Sequence, residues 1–195
     1  MEKIVIVGSS GAGKSTLARE LARILDIKSI HLDRLLWKRD WKEKNKYERL
    51  EILEKLLFGE EQWIIDGNYL RFAEFHVNAA DTIIFLDISP LLCLQRLVKR
   101  HYKNRECFRR DIPEGTTDRI SPLRLLKVLA FSLGGKRTIK QTLHNYESKQ
   151  IHTLRSTKEV NDFLTNLMQP SEGRKFVPIN PLAYSSYLQA SCERR

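Results

Sequence analysis

The segment Gly8-Ser9-Ser10-Gly11-Ala12-Gly13-Lys14-Ser15 constrains this chain more than any other. It has the spacing of a glycine, four residues, then Gly-Lys-Ser. Glycines let a backbone curl until successive N–H groups point inward as an anion nest. A helix opening near Lys14 aims the positive end of its dipole at the same anion. Lys14 brings a full charge to the β- and γ-phosphates of a nucleoside triphosphate, and the Ser15 hydroxyl is an oxygen ligand for Mg²⁺. The contacts expected of this stretch run through Gly8, Ser9, Ser10, Gly11, Ala12, Gly13, Lys14, Ser15 and Thr16. Such a loop needs a buried strand before it and a helix after it. Ile4-Val5-Ile6-Val7 is apolar without alternation, as in a strand covered on both faces. Leu17, Leu21, Ile24 and Leu25 then recur at helical spacing.

Apolar runs alternate with helical patterns along the chain, which predicts an α/β fold with a parallel sheet. Further strands are expected at Lys28 to His31, Trp63 to Asp66, Thr82 to Asp87 and Ile151 to Leu154, five in all. Helices are expected at Tyr47 to Phe58 and from Ser89-Pro90 to about His101, with serine capping and proline at the first helical position. Two more follow, Pro122 to Leu133 and Lys136 to Ser148. Ser156-Thr157-Lys158-Glu159 fits a capping box that opens a last helix to about Met168. Tyr102 to Ile120 is polar, basic and aperiodic, and reads as a lid. One domain over residues 1–168 is expected, with 169–195 an extended or disordered tail.

The chain has 195 residues, with 34 Lys+Arg against 24 Asp+Glu, a formal charge of +10. Such a balance calls for anionic partners: phosphates, nucleic acid or an acidic surface. Between Gln95 and Arg110 seven basic residues face the lone acid Glu106, net +6. Phosphoryl transfer needs cations around the developing charge and water kept out, and a basic lid serves both ends. A solvated charged face is the plainer account of the same cluster. Helix-turn-helix, zinc-finger and RNP-type aromatic signatures are missing from the sequence. Cys93, Cys107 and Cys192 show no metal-ligand spacing and read as reduced thiols, so no zinc-bound lid is expected. The opening residues contain no signal-type apolar region, and the longest apolar stretch, Leu125 to Leu133, is broken by Lys127. A cytoplasmic protein with no membrane partner is expected.

Several carboxylates stand where the chemistry would want them. Asp66 ends a strand, where it can hold Mg²⁺ through water or simply cap a turn. Asp87 is placed similarly. Asp33 follows the second strand and is either a helix cap or a general base for an acceptor hydroxyl. Arg96 and Arg100 lie four apart on one helix face. On the acceptor side, Trp37, Trp41 and Tyr69 could stack on a planar group, although Trp37 and Trp41 also suit a packing pair on one helix. His31 could exchange a proton or be structural. Asn68, after Gly67, could bind an acceptor or form a turn.

The order of these features resembles the nucleoside monophosphate kinase group, which includes adenylate and shikimate kinases. The carriers are the loop, Asp33, Trp63-Ile-Ile-Asp66-Gly67, Leu86-Asp87, and Arg96 with Arg100 nine and thirteen residues after Asp87. A narrower resemblance, over His31-Leu-Asp33 to Trp37, Trp63 to Tyr69 and Ala80 to Asp87, is to the DNA topology modulation protein family. It covers about Met1 to Met168. These resemblances imply a P-loop NTPase with a three-layer α/β/α fold and a basic lid. They imply ATP and Mg²⁺, with Lys14, Asp33, Asp66 and Arg100 catalytic and Ser15 and Asp66 on the metal. Arg96 and Arg100 would contact nucleotide, and His31, Asp33, Trp37, Gly67, Asn68 and Tyr69 the acceptor. Leu70 to His76 lacks the Phe-Pro-Arg that follows Asp-Gly in adenylate kinases, which argues against adenosine monophosphate as acceptor. The expected activity is transfer of a phosphoryl group from ATP to a small molecule or nucleotide. The competing expectation is an ATP-binding, nucleic-acid-associated protein without kinase turnover.

Overall fold

The structure, a computed structural model, describes residues 1–39, 42–67, 73–103, 122–146 and 148–169. Trp41, Asn68 and Tyr69 fall outside the described residues, as do nearly all of the expected lid and tail.

Five strands form one sheet: β1 (Lys3–Gly8), β2 (Ser29–His31), β3 (Trp63–Asp66), β4 (Thr82–Leu86) and β5 (Gln150–Leu154). Their order is β2-β3-β1-β4-β5, and every neighbouring pair is parallel. Parallel pairing requires a crossover between strands, and the apolar strands are buried on both sides because the crossovers are helices. Ile4, Ile6, Ile64 and Ile84 face one core, and Val5, Val7, Ile65, Ile83 and Phe85 the other. The first core is covered by α1 (Lys14–Leu25) through Leu17, Ala18 and Leu21, by α5 (Pro90–Lys103) through Cys93 and Leu97, and by α8 (Thr157–Met168) through Phe163 and Leu164. The second is covered by α2 (Leu32–Leu36), α3 (Lys46–Gly59), α4 (Ala73–Ala79) and α7 (Lys136–His144). The result is the three-layer α/β/α architecture with a five-stranded parallel sheet.

The caps follow local chemistry. Asn45 accepts from the Glu48 amide at 2.8 Å while the Glu48 carboxylate accepts from the Asn45 amide at 3.0 Å, a reciprocal box that starts α3. The Ser89 hydroxyl accepts from the Leu92 amide at 3.3 Å. Ser156 caps Glu159 as expected, but the Glu159 carboxylate reaches one residue further back, to the Arg155 amide at 2.9 Å.

Two expectations are corrected. Trp37 does not lie on the helix expected for a packing pair: α2 stops at Leu36, and Trp37 is extended at φ −111°, ψ 144°. The chain turns back there, with the Lys38 amide donating to the Lys42 carbonyl at 2.7 Å and the Lys44 amide to the Leu36 carbonyl at 3.1 Å. The predicted break at Gly134-Gly135 is absent as well. The helix α6 (Pro122–Ala130) passes through a π-helical turn, Phe131–Gly135, directly into α7. A Cβ at Gly135 would lie 2.6 Å from the Phe131 ring, so the glycine makes room for that ring rather than ending the helix.

Candidate active site

The carboxyl ends of β1, β2, β3 and β4 open toward one edge of the sheet, the edge where α/β folds bind ligands. β1 feeds the loop of residues 8–13, which closes against α5. Gly11 has φ +81°, and a Cβ there would lie 2.4 Å from the Cys93 carbonyl oxygen. Gly13 has φ +102° and caps α1, its carbonyl accepting from the Leu17 amide at 2.9 Å. Both conformations are left-handed, so the loop curls only with glycine at these points. The first amides of α1, at Lys14 and Ser15, precede any intrahelical acceptor. The Ser9 hydroxyl is buried in the loop and has no hydrogen-bond partner among the described residues.

Lys14 folds over the loop. Its Nζ donates to the carbonyls of Gly8 and Ser9, both at 3.0 Å. Desolvation lowers the proton affinity of this ammonium, the nearby charges of Asp33 and Asp66 act to raise it, and Arg100 adds to the lowering. Lys14, Asp33, Asp66 and Arg100 therefore share one electrostatic neighbourhood, although they come from α1, α2, β3 and α5.

Asp66 is at the centre of this group and is 4% exposed. Ser15 Oγ donates to Asp66 Oδ2 at 2.5 Å, and His31 Nδ1 lies 2.5 Å from Asp66 Oδ1. Sheet register makes the second contact, because His31 and Asp66 are partners across β2 and β3. Gly67 then packs against Leu32, where a Cβ would meet that side chain at 2.9 Å. Among the described residues no three His, Cys, Asp or Glu side chains converge as a metal cage. What converges is one hydroxyl and one carboxylate. Such a set of hard oxygen donors suits Mg²⁺, which keeps several waters and takes its other ligands from phosphates.

The other sequence candidates are distributed differently. Arg96 braces the loop from its α5 side: Nη1 donates to the Ala12 carbonyl at 3.0 Å and Nη2 to Thr157 Oγ1 at 2.8 Å, joining loop and α8. Trp37 packs against the second core. Asp87 is engaged by Lys136 at 2.6 Å and Lys140 at 3.4 Å, so its charge is spent on α7. These two lysines escaped the sequence reading. Their four-residue spacing was visible, but only the fold brings α7 to the end of β4. Thr157 escaped it too, since its part depends on where β5 delivers α8. Cys93, under the loop, has its thiol pushed up by burial and is a packing residue, not a nucleophile.

Comparison with known proteins bears on the fold that carries these residues. The curated protein "Uncharacterized protein YqaC" of Bacillus subtilis (strain 168) is 31% identical over 103 residues, 52% of this chain, and the match spans 58% of that protein's length. Among solved structures, shikimate kinase from Acinetobacter baumannii in complex with shikimate superposes with a TM-score of 0.55 at 18% identity, covering 87% of this chain and 92% of that one. A gluconokinase from Sinorhizobium meliloti 1021 gives 0.51 at 16% identity, covering 97% of each chain. At such identities the likeness is one of fold, that of P-loop kinases. This is coarser than the resemblance to DNA topology modulation proteins read from the sequence. The AAA domain family matches residues 4–114, more than half of the chain and the whole of the loop, Asp66 and both arginines, and the protein belongs to that family of P-loop NTPases.

Proposed function

We propose that the protein is an ATP- and Mg²⁺-dependent phosphotransferase acting on a hydroxyl of a small molecule or nucleotide. The observation that carries this reading is the convergence of Lys14, Ser15 and Asp66 at the mouth of the curled loop, with Asp33 and Arg100 in reach of the same charge. The amides from Gly8 to Thr16 and the Ser9 hydroxyl supply donors to the phosphates. Lys14 exchanges its two carbonyl bonds for phosphate oxygens, which are anionic and bind an ammonium more strongly. Ser15 and Asp66 would hold Mg²⁺, which when bound would supply positive charge to the phosphates. Arg100 faces charge developing on the transferred group, and Arg96 keeps the loop in shape beside the base.

In the transfer, the acceptor oxygen forms a bond to the γ-phosphorus, the bond to the β,γ-bridging oxygen breaks, and its electron pair leaves with ADP. The acceptor proton passes to Asp33. Gly67 and Trp37 are assigned to the acceptor side on their place in the fold, and Asn68 and Tyr69 to the acceptor and the basic stretch of residues 102–120 to a water-excluding lid on the sequence alone. The fold of shikimate kinase and gluconokinase, whose names state hydroxylated small molecules, supports an acceptor of that class.

Calorimetric titration with ATP and Mg²⁺ tests the reading. Lys14→Ala removes a charge-assisted contact of about 3 kcal/mol, so ATP should bind roughly 100-fold more weakly. Unchanged affinity in that variant would end the proposal.

A further inference from the structure

We infer that His31 is a positioning residue for the metal-side carboxylate and not a contact for the acceptor. This rests on the nucleotide and Mg²⁺ reading above. Asp66 as a carboxylate only accepts hydrogen bonds, so the ring nitrogen beside it, His31 Nδ1, donates to Oδ1. Ser15 donates to the other oxygen, Oδ2. With both oxygens engaged, the carboxylate has one orientation. Both partners are enclosed, the side chains of His31 and Asp66 being 15% and 5% exposed.

The contact does not depend on a flexible reach. Register opposes the two residues on adjacent parallel strands, with Ile6 of β1 opposite Asp66 on the far side. Just past this row, Leu32 packs against Gly67 and fixes where β2 leaves the sheet. A carboxylate held this way would present the same oxygens toward a divalent cation each time, without first losing side-chain freedom. Removing such an outer partner typically weakens metal binding 10- to 100-fold. His31 therefore sets the affinity for the divalent ion at a site that it does not itself ligate.

The test is titration of Mn²⁺ into the full-length protein with saturating ADP, followed by electron paramagnetic resonance, beside ADP binding measured in EDTA. His31→Leu should weaken Mn²⁺ at least tenfold and leave metal-free ADP affinity within about twofold. His31→Asn places an amide N–H where Nδ1–H stands and should keep Mn²⁺ affinity within threefold of the parent, whereas His31→Gln places its amide too far along and should behave like His31→Leu. The Asn and Gln pair carries the test if the leucine variant does not fold. Parent-like Mn²⁺ affinity in His31→Gln, or in a folded His31→Leu, overturns the inference alone. A parent protein that binds ADP with no response to Mn²⁺ or Mg²⁺ overturns the metal reading on which it stands.

Discussion

At the scale of single residues, the loop is shaped by contacts its own sequence does not contain. Gly11 is required twice, by its left-handed backbone and by the Cys93 carbonyl against which a side chain would collide. Gly11→Ala should therefore cost roughly 2 kcal/mol or more of stability, and should weaken ADP binding at least tenfold, because the curl must open to relieve the clash. Thermal unfolding and ADP titration check both; a variant with parental melting and binding would show that the loop is not seated on α5 as described. Arg96 illustrates the same dependence. Its spacing from Asp87 and Arg100 pointed to a nucleotide contact, and the fold adds two bonds that spacing does not contain, to a loop carbonyl and to Thr157. Asp66 was legible as a strand-end carboxylate, but its partner His31 was not, because they are 35 positions apart in the chain and meet only through strand register.

At the scale of elements, Asp81 ties the start of β1 to the start of β4. Its carboxylate accepts from the amides of Glu2 and Lys3 at 2.7 and 2.9 Å and from the Thr82 hydroxyl. Burial acts to raise its pKa, yet these hydrogen bonds outweigh that and hold the carboxyl below the usual 3.8. A carboxyl lowered in the folded state stabilises fully above its unfolded pKa, and that contribution disappears as the pH falls through the lower folded value. Asp81→Asn should cost about 1 kcal/mol at pH 7, a figure kept small because the group is largely exposed. The gap from the parent should be the same at pH 5 and should narrow as the pH falls below the usual 3.8, as read by chemical denaturation at each pH. A gap that stays constant down to pH 2 would rule out the charged form as the source. Helix boundaries followed the same logic. Caps carried by short polar motifs at Ser89 and Ser156 were readable, and the end of α2 was not, since it is a returning chain at residues 42–44 that stops the helix.

At the scale of the whole molecule, a charge of +10 invites nucleic acid as well as phosphates. The two differ in their response to salt. Nucleic-acid binding through many phosphates falls steeply, about a thousandfold between 50 and 200 mM salt for six contacts, while a single nucleotide engages far fewer charges. ADP with Mg²⁺ should therefore lose less than about tenfold over that range, and binding to duplex DNA should vanish. DNA binding that survives 200 mM salt would favour the nucleic-acid reading. Among the described residues no helix is long and apolar enough to cross a membrane.

The sequence by itself determined the parallel α/β core and the phosphate loop, because both are local. Unbroken apolar runs demand burial on two faces, and the glycine spacing with Lys14 and Ser15 acts within eight residues. Tertiary structure alone decided who stands around that loop. It set His31 against Asp66, Arg96 against Ala12 and Lys136 against Asp87, since each of these contacts depends on which strands are neighbours and where each crossover helix comes to rest.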